Sequence, residues 1–434
     1  MSHPGEDCAR DAVASIFSDW EDEATKCSRC GFCQPTCPIY RATGREAHVA
    51  RGKNVLFRKM VEGTQAVEAD LREAYDNCLL CRACTANCFP AVRTDALVLA
   101  FREAYAARWG RPFVQRLIFR TLLPRPTLVA TTFSAAWSLQ LPRLGGLVQR
   151  SGLLGLLNPK MEMAVKLADH SPLPSLRRRL RELPLRPKTP RLRVGYWISC
   201  GYNYMLPEVG VDTVRVLRAL GAEVVPLDNH CCGLPAHAYG DREAARALAR
   251  RNLERLGDVG HLDAVVSECG SCSDHLKEYG ALLADDAEYA DLAARLSSRM
   301  RAFSEFVAEL DTPLPLGRLE ATVTYHDPCH MTARYQGVTR QPRELIASIP
   351  GVRLKELTEA DSCCGAAGSY SLLHPGVSAR IRARKTEFIA ESEAAYVVTE
   401  CPSCLLQLAL GVRELPVQAV STSQLLALAL APGP

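Results

Sequence analysis

The order of the nineteen cysteines constrains what this 434-residue chain can fold into more than any other feature of its sequence. Eight of them form two runs with the spacing Cys-x2-Cys-x2-Cys-x3-Cys: Cys27, Cys30, Cys33 and Cys37, then Cys78, Cys81, Cys84 and Cys88. Ten more form a first five-cysteine set, Cys200, Cys231, Cys232, Cys269 and Cys272, and a second five-cysteine set, Cys329, Cys363, Cys364, Cys401 and Cys404. The N-terminus lacks the basic and apolar segments of a secretory signal, so we expect a cytoplasmic protein. In that compartment such cysteines are more often metal ligands or redox groups than disulfides.

The two runs of four predict a domain that binds two iron–sulfur cubanes. Three thiolates at this spacing can bind three corners of one cube, while the fourth reaches the neighbouring cube. We therefore expect a cluster 1 set, Cys27, Cys30, Cys33 and Cys88, and a cluster 2 set, Cys78, Cys81, Cys84 and Cys37. Paired zinc ribbons are the alternative, but they use well-separated Cys-x2-Cys pairs instead of runs of four.

The two five-cysteine sets mark an internal duplication. Four cysteines of the first set recur in the second at one constant offset, as from Cys231 to Cys363, and the fifth recurs at nearly the same offset, from Cys200 to Cys329. Strands are predicted at 194–198, 223–227, 263–267, 322–325, 353–357 and 396–399, and helices at 207–220, 241–256 and 375–390. Alternating strands and helices predict a small α/β sheet in each copy. The cysteines follow the predicted strand ends, where open α/β sheets bind ligands.

Five segments are expected along the chain. They are an acidic leader (1–26), a helical two-cluster ferredoxin-like domain (27–108), a basic helical connector with a Pro- and Arg-rich linker (109–190), and two cysteine-rich domains (191–315 and 316–434). Five prolines between residues 172 and 190 predict irregular structure in the linker. Apolar positions at 113–123 share one helical side, which suits internal packing, partner docking or a membrane surface.

The cysteine pattern is similar to that of a known family. Adjacent cysteines followed by glycine, as in Cys363-Cys364-Gly365, resemble those of cysteine-rich CCG domains. Two ferredoxin runs followed by two such domains resemble the iron–sulfur subunits of glycolate and lactate oxidases, over about residues 27–430. The segments 363–370 and 325–330 are most similar to those of glycolate oxidase subunits. The corresponding iron–sulfur subunits of anaerobic glycerol-3-phosphate dehydrogenase and of heterodisulfide reductase share the layout.

The resemblance implies an electron-transfer subunit of an oxidoreductase. An FAD-linked partner would oxidise a 2-hydroxy acid, glycolate or lactate, and this chain would pass the electrons to a quinone or another acceptor. Two 4Fe-4S cubanes are implied, with one or two noncubane 4Fe-4S clusters at the ten CCG cysteines, because complete five-cysteine sets hold such clusters in heterodisulfide reductases. Two alternatives stay open: thiol–disulfide chemistry at the CCG sites, as in heterodisulfide reductase, and an iron–sulfur scaffold or redox sensor without turnover.

Several other features receive a structural interpretation. No nucleotide, flavin or nucleophile motif is present, so no catalytic residue is assigned and the carbon chemistry is expected on the partner. His230, His326 and His330 flank CCG cysteines and are interpreted as packing or capping residues in preference to donors to cluster sulfurs. The segment Arg-Gly-Lys at 51–53 is interpreted as a solvated turn. A net charge of +4 argues against nucleic-acid binding, and peripheral contact with the inner face of the cytoplasmic membrane is a further expectation.

Overall fold

The computed structural model describes residues 13, 15–139 and 174–431. The chain divides into two compact units. The first comprises Met1–Thr121 and Gly233–Ala245, and the second comprises Leu122–Cys232 and Arg246–Pro434. None of the helices in the described part of the chain combines the length and apolar character needed to cross a membrane.

The N-terminal part of the first unit is helical. Its helices include α1 (Glu21–Thr25), α2 (Pro38–Thr43), α3 (Ala50–Val61), α4 (Arg72–Asp76), α5 (Ala83–Ala86), α6 (Thr94–Trp109) and α7 (Phe113–Leu117), with 3₁₀ turns at Glu46–His48 and Ala69–Leu71 and a π turn at Ile118–Leu122. Phe57 of α3 and Phe101 of α6 are buried in one core, where Phe101 stacks on Tyr75 with ring centroids 3.7 Å apart. The cysteine runs lie in the loops and short helices between these elements.

The second unit contains two four-stranded sheets, each entirely parallel. The first holds β1 (Leu192–Tyr196), β2 (Ala222–Pro226), β3 (Ala264–Ser267) and β4 (Met300–Ala302), and the second holds β5 (Ala321–Tyr325), β6 (Val352–Leu354), β7 (Tyr396–Thr399) and β8 (Gln418–Ser421). The strand orders β2-β1-β3-β4 and β6-β5-β7-β8 are the same. Tyr196 of β1 pairs with Val266 of β3, and Tyr325 of β5 pairs with Val398 of β7.

The remaining helices precede, separate and follow the strands along the chain. They are α8 (Pro126–Leu139), α9 (Leu176–Arg179), α10 (Cys200–Tyr204), α11 (Pro207–Ala219), α12 (Leu234–Ala238), α13 (Arg242–Leu256), α14 (Gly270–Lys277), α15 (Tyr279–Leu282), α16 (Ala290–Arg299), α17 (Phe303–Glu309), α18 (Arg340–Ala347), α19 (Tyr370–Leu373), α20 (Pro375–Glu391), α21 (Pro402–Gly411) and α22 (Thr422–Ala429), with a 3₁₀ turn at Cys329–Met331. Pro207 and Pro375 occupy first helical positions, where the missing N–H is not needed.

One hydrophobic core is shared by the two copies. Leu217 of α11 and Leu425 of α22 belong to the same buried cluster, together with Tyr196 and Tyr325 from the two sheets. Each buried leucine is worth about 1.5–3 kcal/mol relative to exposure, so this shared core is a main source of stability.

One part of the proline-rich segment differs from the predicted irregular linker, whereas residues 180–190 contain neither helix nor strand, as predicted. Residues 176–179 form the short helix α9, and Leu176 and Leu180 are buried in the shared core. A Cβ on Gly210 of α11 would lie 2.0 Å from the Leu176 side chain, so the helix needs glycine where α9 packs on it.

The predicted fold class is confirmed: an α/β protein with a helical N-terminal domain and a duplicated cysteine-rich domain. All six predicted strands are present, each within three residues of its predicted bounds, whereas the short strands β4 and β8 were not predicted. The continuous helix expected across 113–123 is instead α7 followed by a π turn. Residues 140–173 of the connector lie outside the described residues.

Candidate metal centres

Cys37 of the first run lies in the same cavity as three cysteines of the second run. The thiols that line it are those of Cys37, Cys78, Cys81 and Cys84. The Cys37 Sγ caps α2 by accepting a hydrogen bond from the Tyr40 N–H at 3.5 Å, and Pro38 follows at the first helical position. Burial, and then the negative charges of Cys78 and Cys37, raise the pKa of Cys84. The cluster 2 set is therefore gathered around one cavity.

Cys88 of the second run lies beside the first run. Burial raises the pKa of Cys88, and the charges of Cys27 and Cys30 raise it further. Its Sγ accepts a hydrogen bond from the Val92 N–H at 3.4 Å. Each run thus places its fourth cysteine beside the other run, the arrangement found in two-cluster ferredoxins.

The cluster 1 and cluster 2 sets are neighbours. Burial raises the pKa of Cys33, and negative charge on Cys27 of its own set and on Cys37 of the other set adds to the shift. Cys30 is exposed, whereas Cys81 is buried. The cluster 1 set therefore includes an exposed cysteine, whereas the cysteines of the cluster 2 set are buried or partly buried.

Lys53 is a buried cation beside the cluster 2 set, so its interpretation as part of a solvated turn is wrong. The side chain is 2% exposed, and Nζ donates to the carbonyl oxygen of His48. Burial lowers the pKa of Lys53, while negative charge on Cys78 and Cys37 opposes that shift. The signal was present in the sequence, since buried positions 50, 53, 57 and 60 of α3 follow the helical period.

Arg51 and Gly52 lie in the same turn of α3, and Arg51 contacts the cluster 1 set. The Arg51 backbone N–H donates to the thiol of Cys33. A Cβ on Gly52 would lie 2.1 Å from the carbonyl oxygen of Glu46, so only glycine permits this approach of α3 to the preceding 3₁₀ turn. The segment 51–53 is therefore helical and contacts both cubane sets.

The cysteines of the first five-cysteine set follow the carboxyl ends of three strands of the first sheet. Cys200 comes after β1, the Cys231–Cys232 pair after β2, and Cys269 after β3. The hydrogen bond with Cys231, aided by burial, raises the pKa of Cys200. Cys272 is hydrogen-bonded to Cys232 and Cys269. Hydrogen bonds thus link the cysteines of this set at the carboxyl ends of β1 and β3. The chain leaves these two neighbouring strands in opposite directions, and open α/β folds commonly bind ligands at such a point.

Two polar side chains orient the Cys231–Cys232 loop. Asn252 Nδ2 donates to the Cys231 carbonyl at 3.0 Å, and Tyr279 Oη donates to the Cys232 carbonyl at 2.6 Å. Both side chains are fully buried. These bonds satisfy backbone carbonyls that a tight turn leaves without partners in the sheet.

The second five-cysteine set repeats this arrangement. The hydrogen bond with Cys363, aided by burial, raises the pKa of Cys329, and Cys404 is hydrogen-bonded to Cys364. The Gly365 N–H donates to the Cys363 Sγ at 3.4 Å. Gly365 has φ +86°, and a Cβ there would lie 3.0 Å from the Ile381 side chain, so the turn after the paired cysteines requires glycine.

The surroundings of the second set differ from those of the first. His326 follows β5, and its Nδ1 lies 3.0 Å from the Ala360 carbonyl oxygen. The His326 side chain is completely buried and offers a ring nitrogen within 4.8 Å of the Cys364 and Cys404 sulfurs. Lys385 is also buried near this set and donates through Nζ to the Glu359 carbonyl at 2.5 Å.

The other two flanking histidines make polar contacts of their own. The backbone N–H of His230 donates to Asn252 Oδ1 at 2.7 Å. His330 Nδ1 lies 3.1 Å from Ser271 Oγ and 3.8 Å from Cys329 Sγ. His330 thus connects the second set to the residue between Cys269 and Cys272 of the first.

The two five-cysteine sets meet where the copies pack together. The thiols of Cys269 and Cys401 are hydrogen-bonded, and this bond lowers the pKa of Cys401. Beside them the Gly270 N–H donates to the Glu400 carbonyl at 2.7 Å. A Cβ on Gly270 would lie 2.6 Å from Met331, so the approach of the copies depends on glycine at this position.

A pair of buried carboxyl groups precedes these cysteines and was not singled out from the sequence. Glu268 and Glu400 are equivalent positions of the two copies, one position before Cys269 and Cys401. Burial raises the pKa of each carboxyl group to about 7. Tyr196 Oη donates to Glu268 at 2.6 Å, and this hydrogen bond offsets part of the free-energy penalty of burying the Glu268 carboxyl group.

The donor chemistry of all four sets fits iron–sulfur clusters. Each set offers four or five cysteine sulfurs, several of them with N–H groups directed at the sulfur, and thiolates are the ligands that such clusters use. Burial helps to raise the pKa of thiols such as Cys84 and Cys200, and iron binds the thiolate form, so binding of iron to these thiols releases protons.

Fold and donor sets together define an iron–sulfur protein with a dicluster domain and two cysteine-rich domains. A family model described as a 4Fe-4S dicluster domain matches residues 23–91, and one described as a cysteine-rich domain matches residues 194–277 and 323–409. The chain belongs to the family of glycolate oxidase-type iron–sulfur subunits. It is an electron-transfer subunit of an oxidoreductase and carries iron–sulfur clusters.

Three relatives show the extent of the likeness. The chain is 31% identical over 402 residues to the probable glycolate oxidase iron–sulfur subunit of Bacillus subtilis, covering 90% of each protein. It is 28% identical over 389 residues to the glycolate oxidase iron–sulfur subunit of Escherichia coli, covering 88% of this chain and 89% of that protein. Lactate utilization protein A of Oceanobacillus iheyensis is 30% identical over 219 residues, which is 50% of this chain and 88% of that protein.

Proposed function

We propose that this chain conducts electrons from an FAD-linked dehydrogenase subunit that oxidises a 2-hydroxy acid, glycolate or lactate, to a quinone or another acceptor. The names of the full-length relatives support glycolate, and the name of the half-length relative supports lactate. Oxidation of the hydroxy acid to the oxo acid yields two electrons and two protons, which the partner's flavin takes up. The cysteine thiolates of this chain would hold iron–sulfur clusters, whose chemistry would be one-electron transfer.

The ligands in this proposal are the cysteines of the four sets. The cluster 1 set binds one 4Fe-4S cubane and the cluster 2 set binds the other. The two five-cysteine sets each bind a further noncubane 4Fe-4S cluster. The thiolates of this chain hold the clusters, N–H groups such as those of Tyr40 and Val92 stabilise the negative sulfurs, and buried Lys53 offsets the charge of the cluster 2 site.

One observation carries the proposal: within each unit, two cysteine sets lie side by side. Cys33 and Cys37 bring the cubane sets together in the first unit, and Cys269 and Cys401 join the five-cysteine sets in the second. Adjacent clusters suit stepwise electron transfer better than a single catalytic centre or a static scaffold does. The names of the relatives likewise favour neither thiol–disulfide chemistry nor a redox sensor.

Electron exchange with the partner is assigned to the exposed side of the cluster 1 set. Cys30 is exposed, and Phe32 and Phe89, which flank Cys33 and Cys88 in sequence, are 64% and 93% exposed. Exposed aromatic side chains are typical anchors of protein interfaces. The exposed side chains of Phe32 and Phe89 are therefore the proposed docking residues for the flavoprotein.

Peripheral attachment to the inner face of the cytoplasmic membrane is the remaining part of the proposal. Phe113 and Val114 of α7 are 70% and 62% exposed, on a segment rich in arginine. Arg111 and Arg120 each lie 3.2 Å from Asp241, so part of that positive charge is neutralised within the protein. The apolar pair, more than the charge, would make the membrane contact.

Iron and sulfide analysis with electron paramagnetic resonance (EPR) of anaerobically purified protein tests the cofactor assignment. At least about eight irons are expected for two cubanes, and about sixteen if every set holds four. Replacing Cys33 by Ser should remove about four irons, whereas replacing Cys8, which belongs to no set, should remove none. Zinc in place of iron, or fewer than about six irons after reconstitution, would refute the electron-transfer role.

A further inference from the structure

We propose that His326 Nε2 is a metal ligand, which makes the second CCG centre a mixed thiolate–imidazole site. The proposal rests on the proposed occupancy of the second five-cysteine set by an iron–sulfur cluster. It assigns a direct bond to a residue that the sequence pattern suggests is a packing group.

The first argument is the position of the imidazole. One ring nitrogen of His326 and the sulfurs of Cys364 and Cys404 all lie within 4.8 Å of one another, and the three residues are buried. A metal ion placed among these atoms would be shared by one nitrogen and two sulfur donors. Both donor types suit iron and zinc.

The second argument is the hydrogen bonding of the ring. Nδ1 lies 3.0 Å from the Ala360 carbonyl oxygen, which can only accept, so Nδ1 carries the proton and Nε2 carries a lone pair. Nε2 is buried and has no hydrogen-bond partner among the described residues. Metal-bound histidines commonly donate their other N–H to a backbone carbonyl in this way. A buried acceptor nitrogen without a hydrogen-bond donor destabilises the folded state, and a metal bound to Nε2 would remove that destabilisation.

The backbone at the end of β5 holds the ring in place. The His326 N–H donates to the Val398 carbonyl of β7 at 2.9 Å. The next residue, Asp327, receives two hydrogen bonds of 2.8 Å from the guanidinium of Arg343. These contacts leave the imidazole little freedom to turn away from the cysteines.

The first copy lacks this ligand. Trp197 occupies the position equivalent to His326, and its backbone N–H donates to the Val266 carbonyl of β3 at 2.9 Å, as the backbone N–H of His326 does to Val398. An indole donates a hydrogen bond but has no lone pair for a metal. The two CCG centres therefore differ: the first is bound by sulfur alone, and the second by sulfur and nitrogen. Replacing thiolate by neutral imidazole raises the reduction potential of an iron–sulfur centre, so the second centre should be the more easily reduced of the two.

Pulsed EPR of the full-length protein, labelled with ¹⁵N-histidine, tests the assignment in whichever oxidation state makes the second centre paramagnetic. A directly bound histidine nitrogen should give a hyperfine coupling that changes between ¹⁴N and ¹⁵N samples. His326→Gln should abolish this coupling and lower the potential of one CCG signal. His330→Gln is the matched control, because His330 lies beside the same set, and it should retain the coupling.

Three results would overturn the proposal. One is a loaded second centre without histidine coupling, and another is coupling that persists in His326→Gln. The third is absence of iron from the second five-cysteine set, which would refute its occupancy as well, whereas the first two results would leave that occupancy and the electron-transfer role intact. The isotope comparison uses unaltered protein, so it remains decisive even if the variant fails to fold.

Discussion

The thiols of Cys269 and Cys401 are hydrogen-bonded to each other, although they belong to different copies of the duplicated domain. They are equivalent positions of the repeat, and each follows the carboxyl end of an inner strand, β3 or β7. Clusters bound at these two sets would therefore be adjacent. Electrons could pass between them without leaving the second unit.

Magnetic interaction between the two CCG clusters is the first expected consequence. When both are paramagnetic, their EPR signals should be broadened or split by each other. Removing one cluster through Cys231→Ser with Cys232→Ser should sharpen the signal of the other, because the spin partner is gone. An unchanged line shape after this double substitution would show that the clusters do not interact.

Lys53 should raise the reduction potential of the cluster 2 cubane. A buried positive charge beside the set favours the more negative, reduced state of the cluster. We expect Lys53→Met to lower the midpoint potential of one cubane signal in an EPR redox titration and to leave the other cubane nearly unmoved. Lys59→Met, on the exposed side of the same helix, is the control. Equal potentials in all three proteins would mean that Lys53 serves packing alone.

Ionisation of Glu268 should destabilise the fold at alkaline pH. Burial raises its pKa from about 4.5 to about 7, so its contribution to stability is complete below pH 4.5 and is lost as the pH rises through 7. At about 1.4 kcal/mol per pKa unit, the loss amounts to about 3 kcal/mol well above pH 7. Glu268→Gln should therefore unfold at higher denaturant concentration than the parent at pH 8.5, and the gain should shrink at pH 5.5. Exposed Glu278→Gln should show no such pH-dependent gain.

Phe89 should be needed for docking of the flavoprotein but not for cluster binding. Its side chain is 93% exposed, so Phe89→Ala removes contact area without opening a cavity. An interface anchor contributes more than about 1 kcal/mol, so the affinity for the dehydrogenase subunit should fall at least about fivefold while iron content stays constant. Titration calorimetry with the purified partner measures this. Leu428→Ala, at an exposed position of the second unit, is the control, and an equal affinity in both variants would place the docking surface elsewhere.

Phe113 and Val114 should determine any attachment to a membrane. The double substitution Phe113→Glu with Val114→Glu should abolish flotation with anionic vesicles, because two charges would replace the apolar contact. High salt should have the smaller effect, since ion pairs to Asp241 occupy two of the nearby arginines. Equal flotation of parent and variant, or none by either, would remove the membrane from the proposed function.

The repeat and the order of its elements were predictable because they depend on local signals. Strands and helix ends were predicted from residues close in sequence, such as the apolar run at 264–267 and glycines after helices. The repeat was predicted from the constant offset between equivalent cysteines. Strands β4 and β8 run directly into the helices α17 and α22 without an intervening turn, so no local signal separates these strands from the helices that follow them. The placement of cysteines after strand ends was predictable for the same local reason.

Contacts between residues that are distant in the sequence were harder to predict. Lys53 looks like a surface residue because burial of a lysine is rare, although its helical neighbours Phe57 and Met60 indicate the buried face. The hydrogen bond between Cys269 and Cys401 depends on how two sheets pack, which no local pattern encodes. The orientation of His326 likewise depends on the Ala360 carbonyl, 34 residues away.

The core shared by the two copies has a consequence for how this family can change over time. Leu217 from one copy and Leu425 from the other are buried in the same cluster, so deleting either copy would leave the other with a large apolar surface in water. Replacing an individual cysteine exposes no comparable apolar surface. A related protein can therefore lose the cysteines that bind a cluster and still retain the domain around them. That domain is retained because the other copy needs it to stay folded.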